Sequence, residues 1–438
     1  MSTIRPIRPT ATLAAALALT LGLAACSGSA EEATTTSPQG EATTSESAAP
    51  TQEGMDMAEH SAVEPVSTGD PFADARTAAQ HMPETAATLA TGFVTALEIP
   101  GSVDSDAAVL RANLTALLQE HVYLAGIAVA TAYAAGPDSA EFEAAAATLD
   151  ENSVALSEAV GSLAGEEQGA AFLELWREHI GYFVDYAVAV QGGDTAARDE
   201  ALADLDGYTG EAGAFFEQVS GGELPAADIA SSLQMHVTTL TAAIDGLAAG
   251  SPEAYDALRA AAGHVVEAAG VLATGLATAT GTEGDPNDEA ATLRAELTAA
   301  LQEHVYLASV AVFTAYTAEG GTDSEAFQAA AATLDANTVA LSEAVGALAG
   351  EEQGDAFMAL WREHIGYFVD YAGAAGDDEA AQTALTELDG YRGEAGAFFE
   401  EISAGELPAD AVAEGLAMHV QTLAGAIDSL GAALVQAG

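Results

Sequence analysis

The sequence predicts an all-α fold, arranged as two tandem up-and-down helical bundles that follow a signal peptide and a disordered tether. Half of the 438 residues are hydrophobic, so the chain can bury a large core. Apolar residues recur at helical spacing, without the alternation typical of strands, and clusters of Gly, Pro and Asp interrupt them. The chain also contains one unit twice, which predicts two similar bundles.

The duplication is visible in several stretches of identical sequence. LQEHVYLA begins at Leu118 and again at Leu301, and WREHIGYFVDYA begins at Trp176 and again at Trp361. We predict repeat units at 70–250 and 251–438. The phase stays open, because the segment from Ser251 could equally close the first unit.

Each unit is predicted to contain six helices, separated by short breaks such as GPDS, QGGDT and GGELPA. Short connections favour antiparallel neighbours, as in up-and-down bundles. The predicted helices of the first unit, which recur after the repeat shift, are 71–97, 105–134, 138–163, 165–191, 195–219 and 225–249.

The charge balance excludes several classes of function. The chain has 67 acidic residues and 10 basic ones, all of them arginine, with a net charge of -57. A P-loop and a pyridoxal phosphate site both require a lysine, so both are excluded. Nucleic acid is an unsuitable partner, because its phosphates are neutralised by basic side chains. The acidic field concentrates cations without selecting among them.

The first 26 residues have the pattern of an export signal. Arg5 and Arg8 precede an apolar run from Ala11 to Ala25. The following stretch, LAAC, resembles the lipobox of bacterial lipoproteins, and that resemblance implies lipidation of Cys26. We therefore expect an extracytoplasmic protein whose lipid is its only membrane anchor, with residues 27–69 as a disordered tether poor in core-forming residues.

The histidines are the candidate functional residues. His60 lies in the predicted tether, and the other eight form four pairs related by the repeat: His81/His264, His121/His304, His179/His364 and His236/His419. The last three pairs lie on apolar stripes at helical spacing, so their rings are predicted to face the bundle interior. The inward face around His81 and His264 is ambiguous, because alanines surround both.

Buried imidazoles need partners, and two interpretations remain open. Glu120, Glu178, Asp185 and Tyr182 are close enough in sequence to hydrogen-bond the rings or to orient them as metal ligands. Alternatively, all eight paired histidines are candidate ligands of a metal ion. A b-type haem lined by Trp176, Phe183 and Tyr186 is the other cofactor hypothesis.

The surrounding sequence favours copper among the metals. No histidine has a glutamate three residues before it, and HExxH and CxxCH motifs are missing. Methionine is the residue that accompanies histidine, at Met82, Met235 and Met418 and at Met55 and Met57 near His60. Thioether and imidazole together suit copper, and the thioether favours Cu(I).

The stretches LQEHVYLA, LWREHIGYFVDYA and LQMHV resemble secreted helical repeat proteins of Gram-positive bacteria, some of which are labelled copper amine oxidase. The resemblance covers most of Ala107–Gly438. That oxidase family makes its quinone from the tyrosine of an Asn-Tyr-Asp/Glu motif, and no asparagine precedes a tyrosine here. We therefore reject oxidase activity. Another enzymatic activity stays open, but no nucleophile arrangement is recognisable, and a non-catalytic role is favoured.

The leading hypothesis is a lipid-anchored surface protein that binds copper through its core histidines. The alternatives are a b-type haem-binding bundle and a structural or interaction module of the envelope without a cofactor. The sequence does not identify a protein partner.

Overall fold

The computed structural model describes residues 63–374 and 376–437, and this part of the chain is all-α, as predicted. It contains no strand. Its thirteen α-helices and one short 3-10 turn, at Gly321–Asp323, account for most of the described residues. The α-helices are α1 (Pro71–Gln80), α2 (Met82–Leu97), α3 (Asp106–Ala135), α4 (Ala140–Ala164), α5 (Glu166–Gly192), α6 (Thr195–Val219), α7 (Ala226–Ala249), α8 (Ala254–Thr280), α9 (Glu289–Thr317), α10 (Glu325–Ala349), α11 (Glu351–Gly373), α12 (Asp378–Ile402) and α13 (Ala409–Ala437).

Local sequence sets the helix ends. The Ser139 side chain accepts a hydrogen bond from the N–H of Phe142 at the start of α4. Gly165, with a φ of +99°, ends that helix and lets α5 begin at once in the opposite direction. The two helices approach closely, because a Cβ at Gly169 would lie 2.7 Å from the carbonyl oxygen of Ser157.

The single helix predicted over 71–97 is wrong in one respect, since it is divided at His81 into α1 and α2. Pro83 has no N–H with which to continue the backbone ladder. At the matching position of the repeat stands Val266, and α8 runs unbroken from Ala254 to Thr280. The difference of one residue explains why the two copies differ here.

The helices form two closed series of neighbours. In the first ring, α3 to α8 pack in chain order and α8 returns to contact α3. In the second ring, α9 to α13 pack in chain order, and the ring is closed by α1 against α13 and by α2 against α9. Helix α8 therefore completes the ring of the first sequence copy, and the N-terminal helices lie with the second.

The two rings contact each other along α3 and α9. Tyr123 and Tyr306 stack there with ring centroids 5.3 Å apart. Each hydroxyl donates a hydrogen bond to a carboxylate of the other ring, Tyr123 to Glu303 and Tyr306 to Glu120. The two rings therefore share a buried contact. The division of the chain into two tandem bundles, with a boundary at residue 250, stays a prediction.

The N-terminal predictions fall mostly outside the described residues. These include the signal peptide, Cys26, residues 27–62 of the predicted tether, and His60 with Met55 and Met57. Residues 63–69, also predicted as tether, lie against the second ring, where Val63 is buried and the N–H of Val66 donates to the Gln421 carbonyl.

By length and composition alone, α3 and α8 could also cross a membrane. Their apolar windows are 72% and 44% buried against other helices, and a core helix passes the same test.

Candidate metal centres

Three alternate helices of each ring bring one histidine each to a common point. In the first ring they are α3, α5 and α7, and the ligand atoms of His121, His179 and His236 all lie within 4.8 Å of one another. In the second ring α9, α11 and α13 bring His304, His364 and His419 together in the same way. Each histidine triad could hold one metal ion.

The apolar stripes in the sequence explain why these rings point inward. Leu114, Leu124 and Ala128 lie on the same face of α3 as His121 and are buried with it. All six triad histidines are at most 5% exposed. The side chains that bury each helix face therefore also carry its imidazole to the ring interior.

In each triad, the distance between the Nε2 atoms of two histidines matches the distance between two ligands of a tetrahedral ion. Nε2 of His179 is 3.4 Å from Nε2 of His121, and Nε2 of His364 is 3.2 Å from Nε2 of His304. Two nitrogens that each lie about 2.0–2.1 Å from a tetrahedral ion are roughly 3.4 Å apart. As hydrogen bonds between nitrogens, the same distances are at or beyond the usual upper limit.

The nitrogens of the triads lack other partners. In the first ring, Nδ1 of all three imidazoles and Nε2 of His236 are buried without a hydrogen bond. The same atoms are unpartnered in His304, His364 and His419. An unpaired buried polar atom costs roughly 1–3 kcal/mol, so a purely structural network leaves these sites unsatisfied. A bound ion would engage one nitrogen of each ring and would leave the other nitrogen as it is.

The side chains proposed as hydrogen-bond partners of the rings lie elsewhere. Glu120 is buried, but it accepts hydrogen bonds from Arg76, Asn152 and Tyr306. Glu178 and Asp185 are exposed, and the partly buried Tyr182 packs against the hydrophobic core. Each triad is therefore made of imidazoles with no carboxylate among its ligand groups.

Aromatic rings hold the triads in place. Trp176 contacts both His121 and His179, with ring centroids 4.8 and 4.4 Å away. Tyr208 stacks on His179 at 4.7 Å, and Tyr391 stacks on His364 at the same distance. Sequence reasoning did not select these tyrosines. The signal available was their position just before the repeated stretch GEAGAFFE.

The residues proposed to line a haem are divided. Trp176 and Phe183 contact triad rings, with Phe183 5.7 Å from His236. The Tyr186 hydroxyl instead donates a hydrogen bond of 2.9 Å to Asp245. Haem stays a prediction.

Burial keeps the triad imidazoles neutral. Loss of solvation, reinforced by His236, lowers the pKa of His121 to about 3. Desolvation also lowers the pKa of His236 and that of His419 to about 4. The pKa values of His179, His304 and His364 lie well below the ordinary value for the same reason. The backbone of Trp176 has the opposite effect and raises the pKa of His179, although its geometry falls short of a hydrogen bond. Neutral imidazole is the form that binds metal.

An apolar cavity adjoins each triad. In the first ring it has a volume of about 250 Å³ and is lined by His121, His236 and Trp176 of the site and by His264. In the second ring a cavity of about 330 Å³ is lined by His419, Trp361 and His81. His81 and His264 thus lie outside the triads but on the walls of the cavities that reach them, and their role as metal ligands stays a prediction.

The methionines are distributed unequally. Met82, which is buried, and Met418, which is 46% exposed, line the cavity of the second ring together with His81 and His419. Met235 is 52% exposed, and Val265 occupies the position on the first cavity that Met82 occupies on the second. Among the residues described, methionine therefore lines the cavity of the second ring and not that of the first.

A scan against protein-family models finds no match for this chain. Searches of curated proteins and of solved structures find no match either.

Proposed function

We propose that the chain captures two copper ions, one at each histidine triad, and holds them without catalysis at the outer face of the cell membrane. The observation that carries the proposal is the convergence of three buried, neutral imidazoles whose nitrogens have almost no other partner. The arrangement occurs twice, and in each triad one pair of nitrogens lies at a distance suited to a shared ion.

The choice of copper rests on charge and ligand type. No carboxylate belongs to either triad, so a bound ion keeps its whole charge inside an apolar wall. The cost of burying an ion rises steeply with its charge, which favours monovalent Cu(I) over a divalent ion. The thioethers of Met82 and Met418 on the second cavity suit Cu(I) as well.

The proposed location rests on the N-terminal sequence. The LAAC stretch, the preceding apolar run and the lone Cys26 are the pattern of a lipoprotein signal. A net charge of -57 attracts cations to such a surface-anchored chain. Capture or buffering needs only binding, and no nucleophile arrangement is recognisable in the sequence.

A titration of the full chain with Cu(I), in competition with a chromophoric chelator, tests the proposal. Two equivalents should bind to the wild type and none should bind with high affinity when all six triad histidines are replaced by alanine. A variant with His81 and His264 replaced by alanine serves as the control and should still bind two. Absence of Cu(I) binding, or equal binding by the six-histidine variant, would refute the proposal.

Parallel titrations with Zn²⁺ and with haem separate copper from the other candidates. Tighter binding of Zn²⁺ than of Cu(I) would overturn the choice of metal while leaving the triads as the site. A Soret band after addition of haem, lost in the six-histidine variant, would reassign the triads to a porphyrin. If neither metal nor haem binds, the cofactor-free interaction module becomes the better explanation.

A further inference from the structure

Each apolar cavity has a histidine at its outer end and a triad at its inner end. We propose that His264 in the first ring and His81 in the second are capture ligands, which bind the incoming ion first and pass it to the triad. The inference rests on the proposed function and adds the route by which the ion arrives.

The hydrogen bonding of these two histidines leaves one nitrogen of each free for a cation. Nε2 of His264 lies 2.9 Å from the carbonyl oxygen of Ser232, and Nε2 of His81 lies 3.4 Å from that of Gly415. A carbonyl only accepts, so Nε2 carries the proton and Nδ1 keeps its lone pair. A second group that fixes the tautomer in this way is usual for metal-binding histidines.

The position of each capture histidine connects solvent with the triad. His264 and His81 are both partly exposed, whereas the triad histidines are buried. Ser232 precedes His236 by one helical turn on α7, and Gly415 precedes His419 by one turn on α13. The capture histidine is thus fastened to the helix that carries a triad ligand, next to that ligand, and lines the same cavity.

Charge at the cavity mouths favours a cation. The exposed carboxylate of Asp228 lines the first cavity, and those of Glu84 and Glu414 line the second. Deeper in, hydrocarbon and aromatic side chains predominate, so the triad is the next strong set of nitrogen ligands after the mouth. In the second ring Met82 and Met418 provide additional sulfur along the way.

Another cavity that reaches the second triad is less suited to a cation. It has a volume of about 170 Å³, is lined by His304 and shares no lining residue with the cavity that contains His81. Arg362 lines it and is paired with Asp335 at 2.7 Å, so the nearest carboxylate is already neutralised. The paired guanidinium and carboxylate carry no net charge, so this opening does not attract a metal ion as the carboxylates beside His81 do, and the cavity with His81 is the favoured route.

Stopped-flow transfer of Cu(I) from its bicinchoninate complex to the full chain tests the route. In the His81→Ala, His264→Ala double variant the rate of loading should fall roughly tenfold, the lower range for loss of an outer metal partner. The end point should stay at two ions, because the triads are intact. Each single variant should slow one of two kinetic phases and leave the other unchanged.

Glutamine at both positions separates a ligand from a structural role. His81→Gln with His264→Gln retains an N–H donor for the carbonyls of Gly415 and Ser232, but it removes the imidazole lone pair. The glutamine variant should load as slowly as the alanine variant while unfolding at the wild-type temperature. Recovery of the wild-type rate by glutamine would assign these histidines a structural role and overturn the inference.

Other outcomes distinguish the inference from the proposed function. Unchanged loading rates in the alanine variant, with two ions bound, would overturn the capture role and leave the triads as copper sites. A loss of bound ions at the end point would make His81 and His264 permanent ligands, which also overturns it. Failure of the wild type to take any Cu(I) would refute the proposed function itself.

Discussion

The two triads are nearly identical in geometry, but the cavities beside them differ. His121–His179 and His304–His364 have ring centroids 5.3 and 5.1 Å apart. The first cavity is bounded by α8, an unbroken helix that contributes Val265, whereas the second is bounded by α1 and α2, which are divided at His81 and contribute Met82. The six triad histidines are thus placed alike, while the cavities that reach them are not.

The comparison shows which requirements are strict. Three imidazoles and their aromatic neighbours must meet within a few tenths of an ångström to share an ion, so few changes are compatible with the site. A cavity wall has only to stay apolar and open, so Val and Met can both serve there. We infer that the rings bind the same ion with different loading behaviour.

The largest effect is expected from removing one triad at a time. Replacing His121 and His236 by alanine should abolish one of the two copper equivalents, because one imidazole cannot hold the ion alone. Replacing His304 and His419 should abolish the other. Metal content of the purified variants after Cu(I) loading checks both, and loss of both ions from either variant would contradict independent sites.

Acid should destabilise the metal-free chain strongly. The folded pKa values of His121, His236 and His419, at about 3, 4 and 4, lie below the unfolded value of about 6.5. The free energy of unfolding is therefore highest above pH 6.5, where the imidazoles are neutral in both states. It decreases as the pH falls from 6.5 toward the pKa values of the folded state, because only the unfolded chain then takes up protons. At pH 5.5 each such imidazole loses about 1.4 kcal/mol, while ordinary carboxylates are still ionised.

Thermal unfolding at pH 7.5, 6.5 and 5.5 measures this dependence. Replacement of His236 and His419 by glutamine removes two of the six buried imidazoles and should reduce the pH slope by about a third. A slope equal to that of the wild type would show that these rings do not remain neutral in the fold.

Two ion pairs lie at the contact between the rings, and replacing the arginine of either one should have an intermediate effect on the free energy of unfolding. Arg76 reaches Glu120 at 2.8 Å with side chains 11% and 1% exposed, and Arg259 reaches Glu303 at 3.0 Å with side chains 29% and 10% exposed. Arg76→Met should lower the free energy of unfolding by about 3 kcal/mol, since it leaves the buried carboxylate of Glu120 without its cation. Arg259→Met should cost about 1 kcal/mol, because water screens that pair better.

Urea unfolding of the two arginine variants measures the difference. Addition of Glu120→Gln to Arg76→Met should restore part of the lost stability by removing the stranded charge. Equal costs for the two single variants would show that burial does not distinguish the two pairs.

The smallest effect is expected from exchanging the cavity walls. Met82→Val gives the second cavity the residue of the first, and Val265→Met does the reverse. Each should change the free energy of unfolding by less than about 1 kcal/mol, because the side chain lies on a cavity wall that can take up the difference in volume. Cu(I) loading of the second ring should slow a few-fold in Met82→Val, and stopped-flow transfer measures it. An unchanged rate would mean that the sulfur of Met82 takes no part in loading.

Much of the architecture follows from local sequence. Apolar periodicity and Gly, Pro, Ser and Asp at the helix ends indicate nearly every helix, and only the break at Pro83 was missed. The facing of His121, His179 and His236 toward the interior was also predictable, because each stands on an apolar stripe. That the three histidines lie at the same height along their helices was not predictable, because this height depends on how each helix is positioned against its neighbours.

The sequence by itself therefore determined an all-helical, duplicated, strongly acidic chain with inward-facing histidines in matched pairs. Only the tertiary structure decided that three of the four histidines in each set converge, that His81 and His264 stay at the cavity mouths, and that α1 and α2 close the second ring. The physical reason is that helical periodicity is written within a few residues of chain. The height and partner of each helix depend instead on long-range packing across the whole molecule.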